Sequence, residues 1–157
     1  MKYRRFGRTV MPLSQLSLGC MRFTGESPEE TAIETIKEAV ARGVNHIETA
    51  RCYGNSEERV GKALREILRE VPREDLYITT KIGPSSDLDE FKRNWDLSMD
   101  ALGLSYLDNL DFHGPGSPEQ VAPAMRTDGC LGFVRKLQDQ GVLRHFGFST
   151  HGYLKGV

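Results

Sequence analysis

The sequence predicts an α/β fold: about five βα units arranged as part of a TIM-type (β/α)8 barrel, a partial barrel spanning residues 1–157. Three observations carry this prediction. Short apolar runs alternate with longer segments of helical spacing, and Gly or Pro stands at nearly every helix exit, which is the pattern of a parallel sheet. Polar residues close three successive runs, Glu48, Lys81 and His113, as in a barrel whose site is built from the carboxyl ends of different strands. After the first strand the chain reads Gly19-Cys20-Met21-Arg22-Phe23, without the G-x-G-x-x-G of a doubly wound nucleotide-binding sheet.

The elements follow in order. Tyr3 to Pro12 alternates basic and apolar residues around Gly7 and predicts a small hairpin with Pro12 as an edge marker. Leu16-Ser17-Leu18-Gly19 is the first barrel strand. Ser27-Pro28-Glu29-Glu30 predicts a helix start, with Ser27 as cap and Glu30 completing a capping box. Ile33, Ile36 and Val40 recur at helical spacing, and Gly43 ends the helix. Val44–Glu48 is the second strand. Asn55-Ser56-Glu57-Glu58 opens a second helix with the buried stripe Val60, Leu64, Ile67 and Leu68, and Pro72 stops it.

Leu76–Lys81 is the third strand. Asp87 opens a helix with the inner face Leu88, Phe91, Trp95 and Leu102, ended by Gly103. Leu107–His113 is the fourth strand, followed by a Gly/Pro loop over residues 114–118 and a helical turn from Glu119 to Met125. Leu131, Val134 and Leu137 mark the next helix, Gly141 ends it, and Val142–Ser149 is the fifth strand. A closed barrel takes eight strands and about 250 residues. Residues 1–157 are therefore expected to be the amino-terminal part of one catalytic domain, incomplete at its C-terminus.

Composition narrows the function. A formal net charge of −1 gives no electrostatic footprint for nucleic acid and no polybasic patch for a membrane surface. Apolar runs are too short for a membrane span, and the first residues lack the apolar run of a signal peptide. Cys20, Cys52 and Cys130 lie far apart with no metal-ligand spacing. They are expected to be reduced thiols in a cytoplasmic protein, with no metal site in this stretch.

The stretch Val44 to Gly54 is the centre of the chemistry. Glu48 closes a strand and Tyr53 stands five residues later, between Cys52 and Gly54. Lys81 and His113 close the next two strands. Each alone is an ordinary turn or strand-end residue. Together, at matching strand ends, they can converge on one point. Reducing a carbonyl needs a hydride and a proton for the developing alkoxide. A free phenol, with a pKa of about 10, is a poor acid at neutral pH, and a nearby ammonium favours the phenolate. Lys81 can supply that charge, Glu48 can hold Lys81, and His113 can hydrogen-bond the carbonyl oxygen.

These residues resemble those of the aldo-keto reductase family, essentially from Tyr3 to His151. Tyr3–Thr9 resembles the family's opening hairpin, and Leu18 to Phe23 its first strand and loop. Glu48-Thr49-Ala50-Arg51-Cys52-Tyr53-Gly54 resembles its Asp-Thr-Ala-x-x-Tyr-Gly phrase. Thr79-Thr80-Lys81 resembles the lysine motif, Asp111-Phe112-His113-Gly114 the histidine motif, and Gly147-Phe148-Ser149-Thr150 the Gly-Val-Ser-Asn phrase. Two positions depart: Glu48 stands for the usual Asp and Thr150 for the usual Asn.

The resemblance implies an NADP(H)-dependent reductase of aldehydes or ketones, with a tetrad at Glu48, Tyr53, Lys81 and His113. It implies cofactor-side positions at Gly19, Cys20, Met21, Ser149 and Thr150, and a small-molecule carbonyl substrate. The wording of the strand motifs also resembles a branch whose full-length members carry a 4Fe-4S extension after the barrel. The family's segments for the dinucleotide phosphates follow later strands, so these 157 residues alone are expected to bind NADPH weakly and to reduce no carbonyl. His46, His145 and His151 read as structural or exposed, and Cys52 as a small packing residue.

Two other readings stand beside this one. A Lys in a strand mouth can form a Schiff base, which would make the chain a barrel lyase using Lys81, although Glu48 would favour the charged ammonium instead. An open βα arc can also act as a non-catalytic scaffold or interaction protein. Its exposed edges predict an oligomeric, aggregated or marginally stable isolated chain.

Overall fold

The computed structural model of the chain describes residues 1–25, 27–114 and 118–150. The loop expected over Pro115 to Ser117, and His151, lie outside the described residues. Strands β1 (Tyr3–Arg5) and β2 (Pro12–Ser14) form an antiparallel hairpin. Five parallel strands follow: β3 (Leu18–Gly19), β4 (His46–Glu48), β5 (Tyr77–Ile82), β6 (Leu107–His113) and β7 (Leu143–Ser149). Between them run α1 (Glu29–Ala41), α2 (Ser56–Ile67), α3 (Leu88–Leu102), α4 (Pro118–Ala124) and α5 (Cys130–Asp139).

The sheet order is β3-β4-β5-β6-β7, the order of the chain itself. A doubly wound sheet reverses strand order at its switch point. A barrel lays each βα unit beside the previous one, and the chain does this throughout. Among the described residues it forms five strands of a barrel wall joined by four helical crossovers.

Strand alternation sorts the residues. Ile47, Ile78, Leu110 and Phe112 face the helices and are buried against Ile36, Val60, Leu64, Phe91, Trp95 and Val134. Each fully buried aliphatic or aromatic side chain of this kind contributes roughly 1.5–3 kcal/mol before entropy is counted. Phe112 packs edge-on against both Phe91 and Phe146, at centroid distances of 5.6 and 4.6 Å.

A second knot lies at the amino end of the sheet. The buried Asp108 accepts from Arg73, Arg144 and the Ile78 backbone N–H at 2.6, 3.0 and 2.9 Å. Both guanidinium groups also stack on the Tyr106 ring, 4.1 and 4.2 Å from its centre. Asn45 fastens the hairpin at the same end, accepting from the Ser14 N–H at 2.7 Å and donating to the Pro12 carbonyl at 2.9 Å.

Several expectations are corrected. The first barrel strand is Leu18–Gly19 rather than Leu16–Gly19, because only those two residues find partners in β4. Ser27 does not cap α1: Pro28 occupies the cap position without a side-chain bond. The Ser27 hydroxyl instead donates to the Thr24 carbonyl at 3.1 Å and accepts from Arg59 at 2.8 Å. Leu88 is half-buried, and Ser98 takes its place on the inner face of α3. Asp87 does cap that helix, accepting from Asp89 and Glu90 N–H, and Gly103 ends it at φ 66°.

Candidate active site

The carboxyl ends of β4, β5 and β6 bring Glu48, Lys81 and His113 to one mouth, and the turn after β4 carries Tyr53 to the same place. Lys81 is buried. A lysine has only donors, and all three N–H groups are used. They go to the Glu48 carboxylate, to the Thr49 carbonyl at 3.1 Å and to the Tyr53 hydroxyl oxygen at 3.2 Å. The ammonium also lies 4.7 Å from the centre of the Tyr53 ring. Burial works against its charge, but Glu48 and then Tyr53 outweigh that, and the Lys81 pKa is raised.

His113 meets the Tyr53 ring edge-on at 5.5 Å. It also opens onto a cleft of about 410 Å³ walled by residues 83–86 and Pro123. Cys52 is exposed, not a packing residue, and its Sγ lies 3.3 Å from His113 Nδ1. Gly54 turns the chain there at φ 55°.

Below the mouth the inner face of the sheet is polar. His46 contacts Ser17 Oγ at 2.7 Å through Nδ1 and Thr79 Oγ1 at 3.0 Å through Nε2, and burial lowers its pKa. Asn109 donates to Asp111 at 2.8 Å. A Cβ at residue 147 would stand 2.6 Å from Asp111 Oδ1, so glycine there leaves the notch that the carboxylate fills. Burial raises the Asp111 pKa, Asn109 and Lys81 pull it back, and Glu48 adds to the rise. Glu48, Asp111 and the half-buried His145 line one cleft of about 620 Å³ on this face.

Of the positions expected on the cofactor side, Gly19, Met21, Ser149 and Thr150 lie at or just after the carboxyl ends of β3 and β7, whereas Cys20 does not reach the surface. Gly19 and Met21 are exposed. Cys20 is wholly buried in the core, and burial, with Glu48 adding to it and Lys81 opposing, pushes its thiol up to about 12. Ser149 stands beside His113 in the β6–β7 register, and its hydroxyl is buried with no hydrogen-bond partner. Thr150 follows it.

Comparison with known proteins identifies the family. The family model described as "Aldo/keto reductase family" matches residues 15–155. The chain belongs to the aldo/keto reductase family. A relative in Bacillus subtilis, the uncharacterized oxidoreductase YqkF, is 27% identical over 163 residues, covering 96% of this chain and 49% of its own. The NAD/NADP-dependent indole-3-acetaldehyde reductase of Schizosaccharomyces pombe is 36% identical over 107 residues, covering 67% of this chain and 36% of its own. Among solved structures, the holo form of aldo-keto reductase AKR11C1 from Bacillus halodurans superposes with a TM-score of 0.79 at 26% identity, over 96% of this chain and 51% of that one. The thermostable aldo-keto reductase Tm1743 superposes with a TM-score of 0.78 at 31% identity, over 94% and 53%. The chain spans about half, or less, of the length of the curated relatives it matches. The fold is that of aldo-keto reductase TIM barrels, and members of the family are oxidoreductases that generally use NAD(P)H.

Among the described residues no helix is long and apolar enough to cross a membrane, and no group of three or more His, Cys, Asp or Glu is placed to hold a metal ion. The sequence reading missed Glu57 and Asp111. Glu57 carried a signal: with Val60, Leu64 and Ile67 it falls on the buried stripe of α2.

Proposed function

We propose that residues 1–157 are the amino-terminal part of an NADP(H)-dependent reductase of aldehydes or ketones, with Tyr53 as proton donor. The observation that carries this is the Lys81–Tyr53 contact at 3.2 Å, flanked by Glu48 and His113. Lys81 can only donate, so the phenol oxygen accepts and the phenol O–H is left free for a substrate oxygen. The ammonium stabilises the phenolate that remains once the proton has left. Glu48 keeps Lys81 charged and in place. His113, edge-on to the Tyr53 ring and facing the outer cleft, is set to hydrogen-bond the substrate carbonyl oxygen. A substrate of this class is a small molecule that enters the cleft beside His113.

The chain's own residues fit a nicotinamide cofactor at one end. The unpartnered Ser149 hydroxyl, in register with His113, is a buried polar atom awaiting a partner, and Thr150, Gly19 and Met21 stand along the same rim. NADP(H), when bound, supplies the hydride. A 4Fe-4S group is implied by the motif wording only for an extension after the barrel, not for these residues. The raised Lys81 pKa disfavours Schiff-base chemistry, which needs a neutral amine.

The test is NADPH-dependent reduction of a model aldehyde such as 4-nitrobenzaldehyde, by the full-length polypeptide that contains these residues. Turnover with consumption of one NADPH per alcohol formed is expected. A borohydride-trapped adduct on Lys81 with no reduction would replace this reading by the lyase.

A further inference from the structure

Glu57 is wholly buried in the first turn of α2, next to the site but outside the tetrad. A buried carboxylate persists only where it is paired and hydrogen-bonded. One oxygen accepts from Thr80 Oγ1 at 2.6 Å, the other from Arg51 Nη1 at 2.5 Å. Burial pushes its carboxyl up, Thr80, Ser98 of α3 and Arg51 pull it back, and Glu58 adds to the rise.

Both partners adjoin the catalytic pair. Thr80 precedes Lys81 on β5, and strand alternation turns Thr80 to the helix layer and Lys81 to the interior. Arg51 lies two residues before Tyr53, and its backbone N–H donates to the Lys81 carbonyl at 2.9 Å. One carboxylate therefore ties down the two segments that carry Lys81 and Tyr53. The preceding residue reinforces the arrangement: Ser56 Oγ donates to the Cys20 carbonyl at 2.8 Å and lies 2.9 Å from Thr49 Oγ1, next to Glu48. The start of α2 thus grips the ends of β3, β4 and β5.

We infer that Glu57 is a positioning residue, which sets the separation of Lys81 and Tyr53 by anchoring Thr80 and Arg51 together. The inference rests on the reading of that pair as the charge partner and the proton donor. A purely structural carboxylate in this place would often be served as well by an apolar side chain, whereas two of the groups that bind Glu57 lie on the flanks of the pair.

The test is Glu57→Gln, which nearly preserves shape, keeps an acceptor for Thr80 and sets an amide N–H2 against the Arg51 guanidinium. One readout needs no turnover: the rate of reductive methylation of Lys81, followed by peptide mass spectrometry with the surface residue Lys92 as internal standard. Lys81 is expected to react slowly in the parent and several-fold faster in folded Glu57→Gln. The second readout is aldehyde reduction by the full-length polypeptide. There kcat should fall on the order of tenfold to a hundredfold, as a displacement of about 1 Å implies, with KM nearly unchanged and partial recovery in Glu57→Asp. Should Glu57→Gln not fold, Thr80→Val removes the same anchor from the other side and should speed Lys81 labelling in the same way. Unchanged Lys81 labelling in the folded variants overturns the inference. Faster labelling in a polypeptide that reduces no aldehyde would leave the positioning role standing and remove the reductase reading.

Discussion

Lys81 donates to the Tyr53 hydroxyl oxygen across 3.2 Å while its other two N–H groups are held by the Glu48 carboxylate and the Thr49 carbonyl. The ammonium has no spare donor and little room to turn. Its charge is fixed relative to the phenol, and the predictions below follow from that geometry and from the network beneath it.

The Glu48 side chain reaches Lys81 directly, so the extra methylene relative to aspartate is accommodated. Glu48→Asp shortens the reach and should lower kcat on the order of tenfold to a hundredfold. Glu48→Gln, which loses the charge but keeps the length, should lower it as well. Steady-state kinetics on the full-length polypeptide decide this, and a clear rise in Glu48→Asp would mean that Glu48 is a poorly fitted replacement.

Asp108 lies at the end of β6 opposite His113 and binds Arg73, Arg144 and the Ile78 N–H. Asp108→Asn leaves a guanidinium without its anion at a buried position. The cost should be about 3 kcal/mol, or roughly 10 °C in thermal midpoint for a chain of this size. The site is remote, so kcat should hold at temperatures where the variant is folded. A midpoint equal to the parent's would show that the two arginines are satisfied by other groups.

Asp111 gives a pH dependence with a definite sign. Its folded-state pKa is raised, chiefly by burial, so the folded chain holds this proton more tightly than the unfolded chain. The associated stability is fully present below the unfolded value of about 3.9 and is lost as pH rises through the folded-state value. Asp111→Asn, which can still accept from Asn109, should therefore raise the thermal midpoint at pH 7, and the gain should vanish below about pH 4. Thermal unfolding of parent and variant across pH 3–8 reads this out. A variant less stable at pH 7 would reverse the sign and count against the burial argument.

Cofactor binding should separate the two ends of NADPH. On the proposed reading Ser149 and its neighbours face the nicotinamide end, and the described residues show no phosphate loop in the strand-to-helix setting that such binding requires. Calorimetric titration of this chain should give binding weaker than micromolar, with no aldehyde reduction alongside. In the full-length polypeptide, Ser149→Ala should weaken NADPH binding. Micromolar affinity and turnover in the isolated chain would mean that it completes its site by self-association.

Much of the fold was legible because Gly or Pro follows most of the helices and the barrel strands carry buried apolar residues such as Ile47, Ile78, Leu107, Leu110 and Leu143. The candidate site was legible because Glu48, Lys81 and His113 stand at or next to the carboxyl ends of three successive strands. Strand lengths were not, since Leu16 and Ser17 have strand-like character but find no partner in β4. Ser27 was misread because its competitor, Arg59, lies far away in sequence. The polar inner face of His46, Thr79, Asn109 and Asp111 depends on inter-strand register, and the notch at Gly147 exists only once β7 is paired with β6. Glu57 looked like an ordinary helix-start acid, although its place on the α2 stripe marked it as buried.

The most direct measurement is Tyr53→Phe in the full-length polypeptide, with NADPH-dependent aldehyde reduction and NADPH binding followed side by side. The substitution removes one hydroxyl and keeps the ring that meets His113 and Lys81. Loss of the proton donor should reduce kcat by about 10²- to 10⁴-fold and leave NADPH affinity and thermal midpoint unchanged. Turnover within a few-fold of the parent would contradict the assignment of Tyr53 as the proton donor.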